Sequence, residues 1–228
     1  MTATIFTPDG IVISTCAYDT FYQASKRGEE DYIEKMSIVG HPHIINFWNQ
    51  YALVFHQTDE FSYNAGLKSM IEEVKRKWSD DDIPAIYDLM PYVKKQIMDI
   101  GIQIIGIMGG YSRTKEGSFD PHVYQILGND IRRININNSG EITYNCVFLE
   151  KETVFGRILR DVQVKNGDNW ESLPPMRLRC DLFSITKAKE LTSFILKTNH
   201  VINTINQSTS DTIDLETVVI TPTYLNIE

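Results

Sequence analysis

Short apolar runs separated by turn residues fill the first quarter of the chain. The period then changes to a helical one over residues 61–100, returns to strands over 102–148, and becomes helical again before a last apolar run at 217–221. The opening is a strand pair. Residues 4–7 are β-branched and aromatic, Pro8-Asp9-Gly10 is a turn signal, and Ile11-Val12-Ile13 reads as a buried strand. Residues 17–34 are polar and mixed, suiting a solvent-facing loop or hairpin arm. The alternating Lys35-Met36-Ser37-Ile38-Val39-Gly40 follows as a short strand. Residues 44–47 and 51–56 predict two more, joined by a turn at Asn49-Gln50.

From Phe61 the apolar positions Ala65, Met70, Ile71, Val74 and Trp78 fall at helical spacing, with Lys68, Glu72, Lys75 and Lys77 on the other side. Asp80-Asp81-Asp82 precede Pro84 and suit the first turn of a second helix, where carboxylates favour the dipole; metal binding is the weaker reading. That helix carries Ile86, Leu89, Met90, Val93 and Ile97. Pro91 predicts a kink or a later start, and Gly101 closes it. Residues 102–108 read as a buried strand, with a turn expected over Gly109-Gly110-Tyr111 and the polar stretch to Ser118. Strands follow at 123–127, 132–136 and 142–148, with a turn at Asn137-Asn138-Ser139-Gly140. A short helix at 150–164, a loop at 166–175, a strong helix from Thr186 to Ile202 and a strand at 217–221 complete the order. Helices come in pairs rather than alternating singly with strands. This disfavours a doubly wound parallel sheet and predicts an α+β protein: antiparallel sheets with helix pairs outside them, in one domain spanning 1–228.

Composition narrows the class. Apolar residues at 42% support a sizeable core. A net charge of −8 without a long basic run argues against a nucleic-acid partner. Cys16, Cys146 and Cys180 are odd in number and form no CxxC pair, so neither a disulfide framework nor a structural zinc is expected. No signal segment and no membrane-length apolar run are present in the sequence, which predicts a soluble, cytoplasmic protein. No cofactor motif is found, because the glycines at 106–110 lack phosphate-loop spacing. His41, His43, His56, His122 and His200 are scattered and receive no catalytic role. Trp48, Trp78 and Trp170 read as core or interface.

The candidate chemistry lies at the start. Removing Met1 would leave Thr2 carrying both a hydroxyl and a free amine. This is a minimal N-terminal nucleophile, in which the hydroxyl attacks and an amine titrating near about 8 takes the proton. Thr2 alone is weak evidence, because a chain beginning with a strand needs no mechanism.

The order of elements and several motifs resemble the proteasome β-subunit branch of the N-terminal nucleophile hydrolases. The residues that carry this are Thr2-Ala3-Thr4-Ile5 followed by Asp9-Gly10-Ile11-Val12-Ile13, and Lys35-Met36-Ser37-Ile38. Further matches are Ile107-Met108-Gly109-Gly110-Tyr111 with Pro121-His122-Val123-Tyr124-Gln125-Ile126, and Lys187-Ala188-Lys189-Glu190-Leu191 before Val218-Val219-Ile220-Thr221. The resemblance implies a four-layer αββα sandwich of two antiparallel sheets between helix pairs. It also implies threonine-type hydrolysis of a peptide or amide substrate, with Thr2 as nucleophile and Lys35 as the lysine that tunes it, and self-association into a ring or other homo-oligomer. The chain departs from the pattern at three places. Cys16 stands at about the usual acid position, with Asp19 three residues late. Phe55-His56 replaces a small glycine, which predicts a narrower site. Asn206 and Thr209-Ser210-Asp211 replace the late catalytic motif. Two readings follow: a threonine hydrolase, favoured by Thr2 and Lys35 in register, and a catalytically degenerate relative with an assembly or binding role, favoured by the departures.

Overall fold

The opening turn sets the geometry of everything beside it. The computed structural model describes residues 2–16, 18–27, 30–39, 43–57, 60–78, 82–101, 104–149, 163–166, 169–172, 178–205 and 215–227. Thr7 closes the first hairpin: its N–H donates to the Gly10 carbonyl at 2.9 Å, and its hydroxyl accepts from the Asp9 and Gly10 amides at 3.2 Å. This fixes β1 (Thr2–Phe6) against β2 (Ile11–Cys16) with Thr2 opposite Thr15. β3 (Tyr18–Arg27) and β4 (Glu30–Val39) form an antiparallel hairpin of their own, so the polar stretch is the hairpin arm, and the Lys35 run belongs to its second strand.

Two five-stranded antiparallel sheets form the centre. The first runs β10-β1-β2-β13-β14, with β10 (Asn145–Phe148), β13 (Leu215–Ile220) and β14 (Leu225–Ile227). The second runs β5-β6-β7-β8-β9: His43–Phe47, Tyr51–Gln57, Ile104–Arg113, Phe119–Leu127 and Asp130–Arg133. Side-chain alternation divides the core. From β6, Ala52 and Val54 point between the sheets and meet Ile11, Ile13, Val218 and Ile220 of the first sheet. Leu53 and Phe55 point the other way, onto Met70 and Val74 of α1 (Glu60–Lys77) and Leu89, Val93 and Ile97 of α2 (Ile86–Ile100). The outer face of the first sheet packs on α3 (Ile185–Ile205): Ala3 and Cys16 meet Ile195 and Leu196, while Ile5 and Val12 meet Ala188. The arrangement is an α+β four-layer αββα sandwich.

Several local expectations change. The Gly109-Gly110-Tyr111 turn is absent, because β7 continues to Arg113 and the turn comes at 114–117. These glycines mark close approach rather than reversal. A Cβ at Gly109 would lie 3.1 Å from Ile220 Cδ1 across the layer, and one at Gly110 would meet the Tyr51 ring. Pro91 lies inside α2, which begins at Ile86 rather than after the proline. Gly101 caps that helix as expected, at φ 73°, its N–H reaching the Ile97 and Met98 carbonyls. Most of the helix expected at 150–164 lies outside the described residues. At its end, β11 (Gln163–Asn166) pairs with β12 (Asn169–Ser172), so a hairpin replaces the start of the expected 166–175 loop. On that side α3 is the described helix, preceded by a 3-10 turn at Cys180–Leu182.

Candidate active site at the start of the first strand

β1 alternates Thr2, Thr4 and Phe6 toward the layer between the sheets with Ala3 and Ile5 toward α3. Thr2 is fully buried, and its Oγ1 lies 3.0 Å from the Thr15 Oγ1, also fully buried. The two hydroxyls meet because the two-residue Pro8-Asp9 loop places Thr15 opposite Thr2. On the other side of β1, the Leu149 N–H donates to the Thr2 carbonyl at 3.2 Å, so the backbone is held from both flanks. Thr4 Oγ1, one pleat along, is buried without a hydrogen-bond partner among the described residues, as is Tyr111 OH. Burial raises the Tyr111 phenol well above its ordinary range, with Tyr144 and Asp9 adding to it.

The expected site residues fall as follows. Lys35 lies in β4, its backbone opposite Tyr22, and its side chain is outside the described residues. Cys16 faces away from the Thr2 hydroxyl: it is one residue beyond Thr15 and therefore on the α3 face, buried among Ala3, Phe148, Ile195 and Leu196. The position at about which the resemblance expects an acid is thus a packing position under α3. Phe55 does not narrow the layer between the sheets. It projects into the α1–α2 core, opposite Gly106, where a Cβ would lie 2.6 Å from its own Cβ. The Asp19 side chain, Asp80-Asp81 and the late residues Asn206 and Thr209-Ser210-Asp211 lie outside the described residues.

Residue reasoning missed a hydroxyl chain on the opposite face of β2. Ser14 Oγ lies 2.7 Å from Thr192 Oγ1 of α3 and 3.0 Å from Thr217 Oγ1 of β13, and the Thr192 hydroxyl donates to the Lys189 carbonyl at 3.0 Å. With one proton per hydroxyl, Thr217 donates to Ser14 and Ser14 to Thr192. This chain clamps β2 to its helix and its neighbouring strand. The alternation of Ser14 and Thr15 in a buried strand was the available signal, since a hydroxyl pointing into each face demands a partner.

Other reactive groups are quiet. Burial pushes the Cys180 thiol up to about 11 and raises Cys146 further, so both stay protonated at neutral pH. His122 is buried, stacked on Tyr124 at 6.2 Å between ring centroids and tilted against Tyr87, with Nδ1 unpartnered among the described residues. Desolvation and then the Arg133 charge lower it to about 4. The unfolded chain takes up this proton near pH 6.5 but the folded one does not, so stability is full above that pH and falls as pH drops toward about 4. His122→Phe keeps the ring stacking and removes the titration. It should flatten this acid loss by about 2–3 kcal/mol, read as the change in urea-unfolding free energy between neutral pH and the foot of the window. An unchanged acid slope in the variant would contradict the assignment. No cluster of three or more potential metal ligands occurs among the described residues, and no described helix is long and apolar enough to cross a membrane.

No protein-family model matches the sequence, and no curated protein matches it. Solved structures do match. Anbu (ancestral beta-subunit) from Yersinia bercovieri superposes with a TM-score of 0.52 at 10% identity, over 99% of this chain and 85% of that one. Anbu from Hyphomicrobium sp. strain MC1 gives 0.57 at 12%, over 99% and 84%, and its Gly-1 mutant gives 0.57 at 12%, over 100% and 83%. At such identities the likeness is one of fold alone.

Proposed function

We propose that this chain is a proteasome-like threonine-type hydrolase of peptide or amide bonds, with Thr2 as nucleophile once Met1 is removed. The observation that carries the reading is the position of the Thr2 hydroxyl: first residue of β1, on the face between the two sheets, 3.0 Å from the Thr15 hydroxyl of β2. In this reading Thr2 Oγ1 attacks the substrate carbonyl and forms an acyl-enzyme. The released α-amine is the simplest proton acceptor, and Lys35 lowers its basicity by charge. Water then hydrolyses the ester. Self-association into a ring and a cytoplasmic location belong to the same proposal.

A second reading, a non-catalytic assembly or binding subunit, is favoured by two observations. Thr2 is fully buried, and Cys16 contributes no acid to the site because it packs under α3. Intact mass separates the two. The hydrolase should show loss of Met1 and a single adduct with a threonine-directed electrophile such as a β-lactone, mapped to Thr2 in the peptide digest, and Lys35→Ala should slow its formation. Retained Met1, or a free Thr2 that never labels, leaves the assembly subunit as the better reading.

A further inference from the structure

The pair of hydroxyls is one end of a row. β2 lies between β1 and β13, and Thr15 is opposite Thr2 on one side and opposite Glu216 on the other. Opposed residues of an antiparallel sheet project from the same face. Two observations identify that face for Glu216. Val218 and Ile220, two and four residues further along β13, pack between the sheets with Ile11 and Ile13. Thr217, the residue between, points the other way and bonds Ser14 under α3. Thr2, Thr15 and Glu216 therefore stand side by side at one level of the layer between the sheets. Directly opposite residues hold their Cβ atoms about 4.5–5.5 Å apart, which brings a carboxylate on a two-carbon stem within reach of the Thr15 hydroxyl. The row also crosses a boundary: Thr2 and Thr15 are fully buried, while Glu216 is exposed.

A threonine hydroxyl attacks a carbonyl only if its proton has somewhere to go. Cys16, which faces α3, cannot receive it. We propose that Thr15 and Glu216 are the proton route of this site, with Glu216 taking the role that the Cys16 position has lost. The inference rests on Thr2 being the nucleophile, and it changes the proton acceptor from the α-amine to the carboxylate. As the Thr2 Oγ1 lone pair forms the C–O bond, its proton passes to the Thr15 oxygen, and the Thr15 proton passes to Glu216. The tetrahedral intermediate then expels the amine: the C–N electron pair stays on nitrogen, nitrogen takes a proton from the Thr15 hydroxyl, and Glu216 returns its proton to Thr15. In deacylation the same row accepts a proton from water and returns it to Thr2 Oγ1. Thr15 touches the reacting oxygen, whereas Glu216 is a positioning residue that acts through it.

The test follows labelling of Thr2 by a β-lactone in the full chain lacking Met1, timed by intact mass. Glu216→Ala should label about 10²-fold more slowly than wild type, since positioned proton acceptors contribute on that order. Added formate should restore part of the rate, because Glu216 is exposed and a small carboxylate can occupy its place. Thr15→Val should show a similar loss, Thr15→Ser should label near the wild-type rate, and Glu216→Ala combined with Thr15→Val should be no slower than the slower single variant. Wild-type labelling of Thr2 with an unaffected Glu216→Ala overturns the route and leaves the threonine hydrolase standing on its amine. A slowed Glu216→Ala that formate does not rescue also overturns it, assigning Glu216 a structural role. Absence of labelling in the wild type removes both the route and the hydrolase.

Discussion

Thr2→Ala abolishes the adduct while the protein stays folded. The expected loss in labelling rate exceeds about 10³-fold, because removal of a nucleophile leaves no group to take its place. The alternatives are poor. The Cys146 and Cys180 thiols are held protonated by burial, and Thr15 is fully buried and carries no α-amine of its own. The stability cost should be modest, about 1–2 kcal/mol, from the lost hydroxyl contact with Thr15 and the lost methyl. Thr2→Ser separates the two effects: it keeps the oxygen and should keep labelling, and it loses only the methyl. Intact mass reads the adduct and urea unfolding reads the stability. A Thr2→Ala protein that still gains one adduct would place the reactive group elsewhere and end the threonine mechanism.

Phe55→Ala has the opposite signature. It should cost about 3–5 kcal/mol of stability, the range for truncating a buried phenylalanine, and leave the labelling rate per folded molecule unchanged. Phe55 is fully buried in the core shared by the second sheet with α1 and α2. Its cross-strand neighbour is Gly106, which has no side chain to collapse into the cavity, so little of the lost contact is recovered. The hydroxyls of Thr2 and Thr15 lie beyond the second sheet, on the other side of the layer between the sheets, and do not touch this core. A loss below about 1 kcal/mol in the urea-unfolding free energy would contradict the burial. A matching collapse in labelling rate would return Phe55 to the wall of the site, where the family pattern had suggested it.

Alternation is blind to which sheet covers which face. Phe55 was expected to narrow the site because the family pattern aligns it with a glycine beside the nucleophile. The phase of β6 sends its side chain to the helices instead, and the bulk is absorbed there by the glycine of β7. Gly109-Gly110 read as a turn for a related reason. Glycine signals both reversal and close approach, and only the neighbouring Ile220 and Tyr51 side chains distinguish them.

Local chemistry was sufficient for the rest of the frame. The Pro8-Asp9 loop closed by Thr7 and Gly10, the helical spacing over 61–78 and 86–100, the Gly101 cap and the apolar run of β13 are set by interactions within a few residues, and these determine which elements form. The first-hairpin register also belongs to this class, because a two-residue loop makes Thr15 the partner of Thr2 by counting alone. What lies beyond it required the assembled chain. β13 joins β2 across about two hundred residues, in the register that brings Glu216 beside Thr15 and Thr217 beside Ser14, whose hydroxyl also meets Thr192 of the distant helix α3. Local sequence determined that Thr2 would stand at the head of a buried strand. Long-range pairing, which no local interaction encodes, decided what surrounds its hydroxyl.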